Sequence, residues 1–328
     1  MRLLLIAAAL SAAAAAAAET APATEPRADF WQVPWENTRP RDPAVAADGR
    51  VWFVGQAGDY VAAFDPRTQQ FRRFDLEAGT GPHNLIVGED GIIWYAGNRA
   101  RHIGRLDPGS GAIEKIALPE EVPDPHTLAG DGRGHLWFTA QRANVIGRLT
   151  IRDRKVDVIR VPTSRALPYG IAVDAAGRPW VNLLGTAKLA TLDPDSLQIE
   201  EIGLPRGQAR TRRIAIDRQG AVWFVDYAGG FLGRLEPATR GIREWPLPSG
   251  AASRPYAMAI DDRGRIWIAE SGPQPNRMVA FDPETTRFVA GITLAQARGA
   301  VRHMVFDAKT RALWFGTDTG YLGRLRVD

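Results

Sequence analysis

Seven tryptophans, Trp52, Trp94, Trp137, Trp180, Trp223, Trp267 and Trp314, are each preceded 11 residues earlier by a side chain that can donate a hydrogen bond or carry a proton. These are Arg41, His83, His126, Tyr169, Arg212, Tyr256 and His303. None is aliphatic, and three of the five histidines of the chain stand in this one column. A single histidine is more often structural or surface-exposed than catalytic, but a whole column of His, Tyr and Arg is a different signal. Imidazole exchanges protons near neutrality, while phenol and guanidinium donate hydrogen bonds. Brought to one mouth, they make an electropositive funnel suited to a carbonyl-rich or anionic small molecule.

A second column lies three or four residues after each tryptophan. It offers Gln56, Asn98, Gln141 and the apolar pair Leu183-Leu184, and then three carboxylates, Asp226, Glu270 and Asp318. Carboxylates on consecutive repeats could supply hard oxygen ligands to a divalent cation. Equally open is a plainer role, in which they cap turns or pair with Arg212 and Arg254 at the surface.

The tryptophans that index these columns are 42, 43, 43, 43, 44 and 47 residues apart. A period of that length marks a repeat whose unit must stack on copies of itself to bury its apolar face. Each unit reads as four short strands. In the second, residues 82–87, 92–96, 102–106 and 113–119 are short alternating or apolar runs separated by Asp-Gly and Asp-Pro-Gly turn chemistry. Asp48-Gly49, Asp90-Gly91, Asp131-Gly132 and Asp262-Arg263-Gly264 mark equivalent first turns. The triplets beginning at Gly104, Gly147, Gly233 and Gly323, each Gly-Arg-Leu, mark the third strand. Four strands per repeat and seven repeats predict an all-β, seven-bladed β-propeller. In it, the tryptophans pack blade against blade and the glycines permit a turn or a close approach. In an antiparallel meander, the start of the first strand and the end of the second lie at the same end of the sheet, so both columns should line one mouth of the channel.

The last repeat lacks a fourth strand, whereas residues 30–35, ahead of the first repeat, resemble the fourth-strand segments 242–248 and 199–205. The N-terminal strand is therefore expected to complete blade seven and close the ring, removing two open sheet edges. Arg2, the apolar run from Leu3 to Ala18 and small residues before Glu19 predict a secretory signal over 1–18. A Pro/Ala/Thr/Glu-rich leader follows over 19–28, then a single propeller domain over 29–328. The apolar run is short for a membrane span, so a periplasmic or secreted, monomeric protein is expected. Without cysteine there are no disulfides, thiolate metal sites or thiol nucleophiles. A net charge of +4, carried mostly by dispersed arginines, argues against a nucleic-acid partner.

The repeated phrases Pro82-His83-Asn84-Leu85, Leu136-Trp137-Phe138-Thr139, Asn144-Val145-Ile146-Gly147-Arg148-Leu149 and Ile242-Arg243-Glu244-Trp245-Pro246-Leu247-Pro248 resemble those of the streptogramin B lyases of the virginiamycin B lyase type. The likeness runs from Phe30 to Val327. It implies a seven-bladed propeller enzyme that opens a cyclic depsipeptide by eliminating its ester. It further implies a Mg²⁺ ion held by two glutamates, a seventh-blade histidine as base and a sixth-blade histidine that helps to hold substrate. Carried over, the base falls on His303, one metal ligand on Asp318, the other on Val301, which cannot ligate, and the sixth-blade histidine on Tyr256. Glu270 or Asp226 could rebuild the metal site beside Asp318, and Arg41, His83, His126, Tyr169 and Arg212 would contact substrate. Two alternatives stand beside a lyase: a non-catalytic exported propeller that binds a small molecule or protein at the mouth, and a calcium-dependent lactonase, for which Asn98 and Asn182 stand nearest to suitable positions.

Overall fold

Turn residues and alternating apolar runs divide each repeat into a four-stranded antiparallel meander. The third repeat is representative: strands Pro125–Gly130, His135–Ala140, Val145–Thr150 and Val156–Arg160 pair in that order. The computed structural model describes residues 27–327 and holds seven such sheets. The expected signal and nearly all of the leader lie outside the described residues. Among those residues the only helical turn is the 3-10 segment Gly250–Ser253, and no helix is long and apolar enough to cross a membrane.

Each tryptophan is buried in the interface with the following blade. Trp52 packs with Leu85, Ile93 and Tyr95 of blade two, Trp94 with Leu128 and Phe138 of blade three, and Trp314 with Val51 and Phe53 of blade one. In three blades the indole N–H is also satisfied by the aspartate of the first turn: Asp174 at 3.1 Å, Asp217 at 2.8 Å and Asp261 at 2.9 Å. The recurrent Gly-Arg-Leu follows from the residue after each tryptophan. Tyr95, Phe138, Phe224 and Phe315 lie opposite Gly104, Gly147, Gly233 and Gly323 on the third strand. Their rings cross the space that a β-carbon would fill, so the glycine is required by a close approach.

The ring closes as the sequence implies, with the pairing strand starting two residues earlier than expected. Ala28–Gln32 pairs with the C-terminal strand Tyr321–Arg326, Phe30 opposite Gly323 and Trp31 opposite Leu322. Trp31 stacks on Trp314 at 5.5 Å and meets Phe64 of blade one at 5.0 Å. Arg324 holds the strand through Asp29 at 2.6 Å. A chain beginning at Asn37 loses these aromatic contacts and exposes the edge of Tyr321–Arg326. It should be less stable than one beginning at Arg27 by more than about 5 kcal/mol, at roughly 3–5 kcal/mol for each large aromatic removed, and should aggregate. Thermal melts and size-exclusion chromatography of the two chains check this; equal melting and elution would overturn closure as the stabilising contact.

Candidate functional site

At the start of each blade the pairing between the first two strands slips. In blade three Pro125 faces Ala140 and the next pair is Leu128 with Phe138, which leaves His126 and Thr127 between them. Proline cannot donate to the ladder, and a bulge re-aims the side chains that it releases. The same slip frees His83 and Asn84, Tyr169 and Gly170, Arg212 and Arg213, and Tyr256 and Ala257. In blade one it falls between Arg41 and Ala44, around Asp42. Each blade thus contributes two adjacent positions to the channel.

Blade seven corrects the column read from the sequence. Trp137 faces Ala129, eight residues back, but Trp314 faces Val305, nine back. The first turn of blade seven is one residue longer, so counting 11 back stops one residue short of the equivalent position. The slip there frees Arg302 and His303. Arg302 is therefore the counterpart of Tyr256 and Arg212, and His303 is the counterpart of Arg213, Asn84 and Asp42. The sequence carried a signal for this: Asp261 stands six residues before Trp267, whereas Asp307 stands seven before Trp314.

The second bulge position forms a deep polar tier. Asp42 accepts from Arg213 at 2.8 Å and from Asn84 at 3.0 Å, and Arg213 donates to the carbonyl of Arg302 at 2.9 Å, so blades one, two, five and seven are tied together. Burial opposes ionisation of Asp42, but Arg213 and Arg41 outweigh it and hold the carboxyl well below its usual range. His303 belongs to this tier. Burial, reinforced by Arg213, lowers its imidazole to about 4, and its Nδ1 has no hydrogen-bond partner.

The first bulge position forms a ring of touching groups. The rings of His83 and His126 lie 3.5 Å apart, and those of His126 and Tyr169 4.4 Å apart. The hydroxyls of Tyr169 and Tyr256 are hydrogen-bonded. Arg212 donates to Tyr256 at 3.1 Å and to Tyr169 at 3.4 Å, and Arg302 reaches Tyr256 at 3.5 Å. Burial would raise the Tyr256 phenol, yet Arg41, Arg212, Arg302 and Arg213 bring it down to about 8. Tyr169 moves the other way, raised by burial and by Tyr256 to about 12. Burial, with Arg41 and Arg213, holds the imidazole of His83 well below its ordinary value; burial and His83 do the same to His126. Of the column as read from the sequence, only Arg212 and His303 are partly exposed; Arg41, His83, His126, Tyr169 and Tyr256 are buried.

Over blades five to seven the mouth opens into a cavity of about 680 Å³ whose wall includes Arg212, Tyr227, Arg254, Tyr256, Arg302 and Asp318. A second hollow of about 730 Å³ shares Arg212, Tyr227 and Arg254 and extends to Leu167 and Leu184 of blade four. His303 is not on either wall. Arg302, which sequence reasoning missed, grips Asp318 through two bonds of 2.9 and 2.7 Å.

The profile of the virginiamycin B lyase family matches residues 26–325. The chain belongs to that family. Among solved structures, virginiamycin B lyase from Staphylococcus aureus superimposes with a TM-score of 0.84 at 22% identity, over 93% of this chain and 100% of that one. A streptogramin B lyase gives a TM-score of 0.84 at 23% identity, over 92% and 98% of the two chains. A catalytically inactive histidine-to-alanine variant of the S. aureus enzyme, solved with quinupristin, aligns equally well. At these identities the likeness concerns the fold. The chain matches no curated protein.

The three carboxylates expected to hold Mg²⁺ do not fit a divalent cation. Asp226 accepts from the Arg210 backbone at 2.8 Å and from Arg206 at 3.1 Å. Glu270 accepts from the backbone and hydroxyl of Ser249 at 2.9 and 2.8 Å and lies 3.3 Å from Arg277. Asp318 is held by Arg302 and by Arg39 at 3.2 Å. Among the described residues no three His, Asp or Glu side chains converge as a ligand set. Asn98, considered for a calcium site, donates to the Pro125 carbonyl at 2.8 Å.

The deep tier is sensitive to the loss of either partner. Removing one partner of a buried ion pair leaves an uncompensated charge, so Arg213→Met should cost about 3–5 kcal/mol in denaturant unfolding, against little for exposed Arg67→Met. Acid acts through the histidines. His83, His126 and His303 are neutral when folded and protonate from about pH 6.5 when unfolded. The unfolded state then binds more protons, so stability rises with pH in this window. The melting temperature should fall as pH is lowered from about 6.5 toward 4.5, less steeply in His83→Gln; a flat profile would refute the neutral imidazoles.

Proposed function

We propose that this protein is a carbon–oxygen lyase acting at the cavity over blades five to seven on a carbonyl-rich cyclic ester or depsipeptide. The observation that carries this is the charge of the cavity wall: three guanidiniums, Arg212, Arg254 and Arg302, against one carboxylate, Asp318, with the phenol of Tyr256 among them. Elimination of an ester removes a proton α to a carbonyl, develops enolate charge on that carbonyl oxygen and releases a carboxylate. Fixed cations and donors stabilise both anions. Arg212 and Arg302, which converge on one atom of the wall, can supply that stabilisation. His303, which lines neither hollow and whose imidazole is lowered to about 4, is poorly placed to take the proton. The apolar run at residues 3–18 supports export to the periplasm or medium, and a closed ring of seven sheets whose edge strands are short supports a monomer.

The second reading, a binding module, is favoured by one feature: every carboxylate of the second column is already engaged by arginine or by backbone and side-chain donors. Mass spectrometry separates the readings. With a cyclic depsipeptide of the streptogramin B type, elimination yields a linear product of unchanged mass bearing a new conjugated double bond, whereas hydrolysis adds one water. The expected result is the isobaric product, with kcat/KM lower by about 10²-fold in Arg302→Gln, the usual effect of removing one donor from a developing oxyanion. Gain of a water would point to a lactonase, and binding without turnover to the binding module.

A further inference from the structure

We propose that Tyr169 and Tyr256 share a single proton and that the resulting phenolate of Tyr256 is the proton acceptor of this site. The role as acceptor rests on the lyase reading; the shared proton does not.

Hydrogen-bond bookkeeping supplies the first reason. Arg212 at 3.1 Å and Arg302 at 3.5 Å donate to the Tyr256 hydroxyl oxygen, which is also bonded to the hydroxyl of Tyr169, either one being able to donate. Arg212 also reaches the Tyr169 hydroxyl, at 3.4 Å. A guanidinium has five donors and no acceptor. Within this cluster two phenolic protons therefore have one acceptor contact, the bond between the two oxygens. One proton occupies that bond and the other has no acceptor there. Releasing it leaves a phenolate whose lone pairs match its donors, with the charge beside two guanidiniums.

Electrostatics supplies the second. Arg212 lies 4.6 Å from the Tyr256 ring and 4.2 Å from that of Tyr227, and Arg302 lies 5.4 Å from Tyr256. The charged groups that face the phenol from neighbouring blades are Arg41, Arg212, Arg213 and Arg302. Two of these arginines carry a carboxylate partner, Arg213 in Asp42 and Arg302 in Asp318. Such interactions are stronger in the partly desolvated mouth than in water.

Position is the third. Of the two buried phenols only Tyr256 belongs to the cavity wall, with Tyr169 bonded to it from blade four, so a substrate in the cavity lies nearer Tyr256 than Tyr169. In the step, the Tyr256 oxygen takes the proton from the carbon α to the acyl carbonyl, and the C–H electrons form the double bond to the β-carbon. The bond from the β-carbon to the ester oxygen breaks with its pair, which leaves as carboxylate. Tyr256 returns the proton to solvent when product departs.

The shared proton can be tested without substrate, by following phenolate ultraviolet difference absorbance of the full chain against pH. One tyrosine should ionise near pH 8, the value to which the arginines bring Tyr256, ahead of the ordinary value of about 10. That step should vanish in Tyr256→Phe and move upward in both Tyr169→Phe and Arg212→Met, with thermal melts reporting whether each variant is folded. Ionisation of all tyrosines at about 10 or above, or an early step that persists in folded Tyr256→Phe, overturns the proposal. With a turned-over cyclic ester, kcat/KM should rise with pH to a plateau above the same midpoint, and Tyr256→Phe should lose at least about 10²-fold. Turnover unchanged in Tyr256→Phe overturns the role as base. An early-ionising Tyr256 without turnover of any cyclic ester would uphold the shared proton and overturn the lyase reading and the base role together.

Discussion

A blade cannot bury its own tryptophan. Trp52, Trp94 and Trp137 each complete their packing on the sheet that follows, so an isolated repeat leaves its largest apolar group in water, and a row of repeats leaves one at the end. The ring solves this only if the seventh tryptophan finds a first blade, and Trp314 does so with Val51, Phe53 and Trp31 of the closing strand. Closure is therefore a burial constraint before it is a topological one. It also fixes what the first strands must do, because seven sheets meeting around an axis bring the starts of seven strands within contact distance of one another.

Crowding at the axis explains the bulge. A regular strand would present alternate residues to its two neighbouring blades; a slip of the pairing at each entry turns two adjacent side chains toward the channel instead. The deeper of these positions has become a packed polar plug, in which Asp42 and Arg213 tie blade one to blade five. Desolvation makes such a pair a weak source of net stability, but it strongly disfavours any arrangement in which one partner is missing. The plug thus sets the spacing of the blades beneath the cavity, and Arg213, by donating to the carbonyl of Arg302, fixes the backbone from which a cavity-wall guanidinium projects.

The fold was legible in the sequence because it is written seven times. The tryptophan period, the Asp-Gly turns and the missing last strand each have one physical solution, and repetition averages out local noise. The site was only partly legible because function is carried where the repeat is broken. One extra residue in the turn after Asp307 moves His303 out of the column and Arg302 into it, and a count from tryptophan to column cannot register that change, although the spacing from aspartate to tryptophan can. The carboxylates were harder. Nothing in the spacing of Glu270 shows that the Ser249 loop folds onto it, or that Asp226 caps residues 206–210, because those partners come from connecting segments outside the repeat. Residue type at a column position gives the capacity to ligate; only the loops decide whether that capacity remains free.

A site whose cations are guanidiniums works under a different constraint from one built on a bound ion. Arg212 and Arg302 cannot be withdrawn or exchanged, and both already point at the Tyr256 oxygen. In the proposed elimination the negative charge starts on that phenolate and ends first on an enolate oxygen and then on a carboxylate. If the substrate carbonyl lies beside the same two arginines, the charge moves between oxygens without leaving their field, and the net charge of the site stays constant through the proton transfer. The stabilisation given to the phenolate before reaction then opposes catalysis only to the extent that the donors fail to follow the charge. Their position fits that requirement: Arg302 is held from behind by Asp318 and Arg212 against Tyr227, so that each guanidinium keeps its orientation while other N–H groups remain to meet the second oxygen.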